Sequence, residues 1–106
     1  MTVRIDTKER DGKRVIAVDG EVDLYTSPEL RAAIIKTLRI SKGTVVAVDL
    51  SEVLYMDSSG VATLVEGLKE SKQQGAEFCL VAPSNAVMKV LQLARLDTVF
   101  DVRDSV

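Results

Sequence analysis

Met56-Asp57-Ser58-Ser59-Gly60 puts a carboxylate, two hydroxyls and a glycine into five consecutive positions. The stretch lies between a β-branched run, Val45 to Leu50, and an amphipathic pattern that opens at Val61. It therefore falls at the N-terminus of a helix, where unpaired backbone N–H groups and the positive end of the dipole favour an anion. Two roles fit a serine there. It can cap the helix, a contribution of about 1 kcal/mol, or it can accept a phosphate from another protein's active site. With Ser59 as the cap, Ser58 is left free for modification. Gly60 is then the small residue that lets another protein's active site approach the backbone.

Further carboxylates belong to the same neighbourhood. Asp19, Glu21 and Asp23 are read as following one strand, and Asp49 and Asp57 as following another. In an open α/β sheet the carboxyl ends of the strands are where ligands and partners are met. Asp19 and Asp49 are expected to be solvated or to hold local turns. Asp23 and Asp57 are expected to flank Ser58 and to act with it.

Catalytic chemistry finds little material. The chain has no histidine, which excludes Ser-His-Asp and Cys-His arrangements and any histidine metal site. A nucleophile elbow needs glycine where Met56 stands. The six glycines are isolated from one another, so no phosphate loop is present. A single cysteine, Cys79, cannot build a thiolate metal site and is expected to be a small buried hydrophobe. A phosphoaspartate receiver would need an acidic pair after the first strand and a lysine near the last. The first strand here runs into Glu9-Arg10-Asp11-Gly12 and the last contains Phe100-Asp101-Val102. The expectation is a protein that is not an enzyme, with no metal and no cofactor.

The elements that position these residues follow from periodicity. Residues 3 to 8 alternate as a half-exposed edge strand, and Asp11-Gly12 turns it into a second, antiparallel strand over Val15 to Val18. Gly20-Glu21-Val22-Asp23 reads as an acidic loop. A helix then opens either on a Thr26 to Glu29 capping box or on Ser27 as the cap with Pro28 at the first helical position. Its buried face is Leu30, Ala33, Ile34, Thr37 and Leu38. Thr44 to Leu50 reads as a strand covered on both faces. Val61, Leu64, Val65 and Leu68 mark a second helix, closing near Gly75. Phe78 to Val81 is a further strand, and Pro83-Ser84-Asn85 opens a third helix with Val87, Val90, Leu91 and Ala94 inward. A short strand near Phe100 to Val102 closes the chain. The order predicts an α/β fold, a mixed and mostly parallel sheet with an N-terminal antiparallel hairpin and three main helices, spanning 1–106 as one domain.

Composition narrows the function classes. An apolar fraction of 46% with 28% charge suits a globular chain, and a net charge of −2 with scattered basic residues gives nucleic acid nothing to hold. No segment reaches the length of a membrane span and the N-terminus is unlike a signal peptide. A cytoplasmic location is expected, with no direct nucleic-acid or membrane partner. The edge strand from Val3 allows a monomer or a weak dimer.

Gly20-Glu21-Val22-Asp23, the capped helix, Val48-Asp49-Leu50, Met56-Asp57-Ser58-Ser59-Gly60, Leu91-Gln92-Leu93-Ala94-Arg95-Leu96 and Val99-Phe100 together resemble the anti-sigma factor antagonists, single STAS-domain proteins of bacteria. The likeness runs in order along essentially the whole chain. It implies partner switching. The unphosphorylated protein would bind an anti-sigma factor that is also a GHKL-type serine kinase and so free a sigma factor. The kinase would phosphorylate Ser58, and a PP2C-type phosphatase would reverse this. Glu21, Asp23, Asp57, Ser58, Ser59 and Gly60 would make the partner-binding region, where phosphate beside two aspartates repels the partner. The alternative within the same family is an unmodified scaffold or transport-accessory subunit.

Overall fold

The computed structural model describes residues 2–106. Its elements are β1 (Val3–Arg10), β2 (Lys13–Val22), α1 (Ser27–Arg39), β3 (Val45–Met56), α2 (Ser58–Gln74), β4 (Glu77–Val81), α3 (Asn85–Leu93) and β5 (Asp101–Arg103). They form one five-stranded sheet in the order β1-β2-β3-β4-β5. β1 and β2 pair antiparallel, and every later neighbour pairs parallel. Asp11 and Gly12 both take positive φ, 53° and 78°, the geometry of a two-residue turn whose twist matches the strands.

The three parallel crossovers all step the same way along the sheet. A common handedness therefore lays α1, α2 and α3 on one face. Leu30, Ile34 and Leu38 of α1, Val61 and Leu64 of α2, and Val87 and Leu91 of α3 share a single core with Ile16, Val46, Val48 and Leu80. β3 is covered on both faces over its apolar run, as expected: Val46, Ala47 and Val48 are all fully buried, but the two covers differ in thickness. The other face closes only over Ala47, Cys79 and Val81, with Val106 packed on them. Cys79 is buried there, as expected, and burial raises its thiol pKa.

Two strands are longer than their apolar runs suggested. β2 continues through Gly20, Glu21 and Val22, so those residues are strand and not loop. β3 continues through Glu52 to Met56, which puts Asp49 within a strand instead of after one. The register explains both errors. Between Ala17↔Asp49 and Asp19↔Glu52, and again between Gly20↔Val53 and Glu21↔Tyr55, β3 advances one residue more than β2. Each bulge breaks the alternation on which a strand is recognised. The first is held by Asp49, whose Oδ1 accepts from the Ser51 N–H and hydroxyl, the turn-holding role expected of it. Ser84, which caps α3, donates its N–H to the Leu50 carbonyl and its hydroxyl to the Val53 carbonyl, at 3.2 and 2.7 Å. Polar groups freed by the bulges are thereby satisfied.

Candidate functional site

β4 ends its pairing with β3 at Val81, opposite Asp49, while β2 and β3 run on together to Val22↔Met56. The result is a two-stranded arm that carries two loops at its tip. The Asp57 N–H donates to the Val22 carbonyl at 3.1 Å, and this bond sets the start of α2 beside the β2–α1 loop.

Asp57 is the N-cap of α2, in extended backbone, and its Oδ1 accepts from the N–H of Ser59 at 2.9 Å and of Gly60 at 3.4 Å. Neither serine is the cap. The Ser59 hydroxyl instead donates to the same Asp57 oxygen. Ser58 occupies the first helical position, is exposed, and its hydroxyl has no hydrogen-bond partner among the described residues. The two adjacent serines thus differ: one is committed to the cap and the other is free.

Gly60 is buried, contrary to a role in admitting a kinase to the backbone. A Cβ there would meet Met56 Cγ at 2.6 Å and Val22 Cγ1 at 2.9 Å. Its smallness lets the first turn of α2 sit down on the tip of the arm.

Asp23 also departs from expectation. It is 6% exposed, and its Oδ1 accepts from the Tyr25 and Thr26 N–H groups, both at 2.9 Å. The Thr26 hydroxyl donates to the Glu21 carbonyl at 2.8 Å and accepts the Asp23 N–H at 2.9 Å. Burial raises the Asp23 pKa, but these donors outweigh it and hold the carboxyl below its ordinary value. The capping box from Thr26 to Glu29 does not form, because the Thr26 side chain is spent within the loop and gives α1 no cap bond. Glu21, half-buried, sits at the second bulge opposite Tyr55, and its N–H donates to the Thr2 carbonyl at 2.9 Å. Asp19 is an exposed strand residue paired with Glu52.

With Asp23 withdrawn, the loop after β2 and the end of β3, which adjoin the start of α2, expose apolar side chains. Leu24 is 67% exposed, Tyr25 86%, Leu54 76% and Tyr55 43%. The first two lie in the Asp23 loop, and the last two lie where β3 has outrun β4. Sequence reasoning missed all four. Their one signal was large apolar residues with no place in any buried stripe.

The STAS domain family model matches residues 4–106. The chain belongs to the STAS domain family. An anti-sigma-B factor antagonist of Listeria monocytogenes is 31% identical to it over 105 residues, covering 98% of this chain and 91% of that one. Among solved structures, an anti-sigma factor antagonist from Mycobacterium paratuberculosis superposes with a TM-score of 0.85 at 26% identity, covering 99% of this chain and 88% of its own. The Bacillus cell fate determinant SpoIIAA in its phosphorylated form superposes at 0.72 with 22% identity, covering 96% and 92%, a likeness of fold. Among the described residues no helix is long and apolar enough to cross a membrane, and no cluster of three metal-ligating side chains occurs.

Proposed function

We propose that this STAS chain is an anti-sigma factor antagonist switched by phosphorylation of Ser58. Unphosphorylated, it binds an anti-sigma factor that is also a GHKL-type serine kinase, and a sigma factor is freed. The kinase forms the bond from the Ser58 oxygen to the γ-phosphorus of ATP, ADP leaves, and the hydroxyl proton passes to a base of the kinase. A PP2C-type phosphatase hydrolyses the ester and restores the binding form.

The observation that carries this reading is the contrast between neighbours, Ser59 tied to Asp57 and Ser58 exposed without a partner. The names of the relatives support the choice of partner class. Leu24, Tyr25, Leu54 and Tyr55 supply apolar area for docking, with aromatic anchors of the kind that dominate interfaces. Asp23 and Gly60 contribute by shaping the two loops, and Glu21 by fixing the bulge beneath them.

The physics of the switch follows from the cap. Phosphate adds about −1.5 to −2 charges at neutral pH. Asp57 already takes the N–H groups of Ser59 and Gly60, so the helix N-terminus has little left to offer a second anion. The phosphate must stay hydrated, and a partner closing over Leu24 and Tyr25 would have to desolvate it. The fold need not change. Partner affinity measured for the unmodified protein, Ser58→Ala, Ser58→Asp and the phosphorylated form tests this. Retained binding by Ser58→Ala with loss in the phosphorylated form is expected; equal binding by all four rejects it.

A further inference from the structure

We propose that the β1 edge is a self-pairing surface: two copies of the chain join antiparallel through β1, with the two-fold axis at Ile5. This stands independently of the Ser58 switch. β1 is eight residues long and forms one border of the sheet. Thr2 accepts the Glu21 N–H, and Arg10 and Lys13 flank the two-residue turn. Antiparallel alternation then points the backbone of Thr2, Arg4, Asp6 and Lys8 at β2. The N–H and C=O groups of Val3, Ile5, Thr7 and Glu9 are left on the open side. An edge with a free row of this length is a template for another strand.

Charge selects the register. Centred on Ile5, each Arg4 stands opposite the partner's Asp6, Val3 stands opposite the partner's Thr7, and no like charges meet. Centring on residue 4, 6 or 8 sets Arg4, Asp6 or Lys8 against its own copy, and centring on residue 7 sets Arg4 against the partner's Arg10. Arg4 and Asp6 are both exposed, and neither has an ion-pair partner among the described residues. The Ile5 register also makes Ile5, Val3 and Thr7 the hydrogen-bonded pairs, which are the residues with free backbone groups.

The helix layer agrees. An open groove of about 400 Å³ lies between β1 and α1, lined by Ile5, Ala32, Ala33 and Ile40, with Glu29 and Lys36 also on its wall. α1 runs alongside β1 in the same direction. On this groove Glu29 precedes Lys36 along α1, so an antiparallel copy turns its Lys36 end toward this copy's Glu29 end. The small side chains of Ala32 and Ala33 leave room on this wall for a second α1 helix. Because the copies run antiparallel, their two Ser58 sites lie at opposite ends and both stay open to partners.

Sedimentation velocity of the full chain over a wide concentration range tests the proposal. Wild type is expected to show a monomer–dimer equilibrium. Arg4→Asp or Asp6→Arg alone is expected to weaken it about tenfold or more. The double charge swap is expected to restore it, and an equimolar mixture of the two single variants to form heterodimers. As a second reading, Ile5→Cys is expected to cross-link readily under oxidation, since hydrogen-bonded antiparallel pairs sit at about 5.5 Å between Cα atoms, within disulfide reach. Lys8→Cys is expected not to. A wild type monomeric throughout, dimerisation unaffected by Arg4→Asp, or equal cross-linking at both positions would overturn the proposal.

Discussion

At the tip of the β2–β3 arm, Asp57 and Ser58 are adjacent but have opposite jobs. Asp57 holds two backbone donors and the Ser59 hydroxyl, so Asp57→Ala should cost roughly 0.5–2 kcal/mol of stability in a denaturant titration. Ser58→Ala removes an exposed hydroxyl without a partner and should stay within about 0.5 kcal/mol of wild type. Equal losses for the two would contradict the assigned cap. Asp23 gives a pH test. Its donors lower the folded pKa, so the stabilisation is present above the unfolded pKa and fades as pH falls toward the folded one. The melting-temperature gap between wild type and Asp23→Ala should therefore hold from pH 7 to about 5 and narrow below about pH 4. The sequence showed that a serine, a carboxylate and a helix start meet here. It did not show which residue caps, because Asp, Ser and Ser are all good caps and only the backbone turn decides among them. Asp23 was misjudged for a similar reason: an acid in a loop next to a threonine reads the same whether it faces water or two backbone N–H groups.

The helices were the more legible elements. Their apolar stripes hold except at Ala94, which is exposed at the C-cap of α3 and not inward, and Gly75 at φ 67° ends α2 as its position suggested. β2 and β3 were harder, since two bulges interrupt the period-2 pattern along the segment that projects past β4. Glycines report how tightly α2 is seated. A Cβ at Gly67 would meet Phe78 at 2.8 Å and Ile34 at 2.9 Å, where α2 crosses both α1 and the sheet. Gly60→Ala and Gly67→Ala should each destabilise by about 1–3 kcal/mol through overpacking. Only Gly60→Ala should also disturb partner binding, because only it displaces the turn that carries Ser58. Circular dichroism melts beside a binding assay separate the two effects.

Over the whole molecule, one thick core on the helix face contrasts with a thin one on the other. Leu64 and Leu91 are fully buried in the former, and truncation of either to alanine should cost about 2–5 kcal/mol. The thin side is closed by small residues around Cys79, whose thiol is buried and raised in pKa. A thiol reagent should modify Cys79 in step with unfolding and not with reagent concentration. One-sided layering was not visible in the β3 run, because small buried residues such as Ala47 look the same beneath a helix or beneath a few side chains. In the proposed function, the arm is where the sheet meets a partner. The most direct measurement is tandem mass spectrometry of the protein after incubation with its own kinase and ATP. A single phosphate on Ser58, and none on Ser59 in the Ser58→Ala variant, is the predicted result. Phosphate on Ser59 or elsewhere, with Ser58 unmodified, would contradict the account.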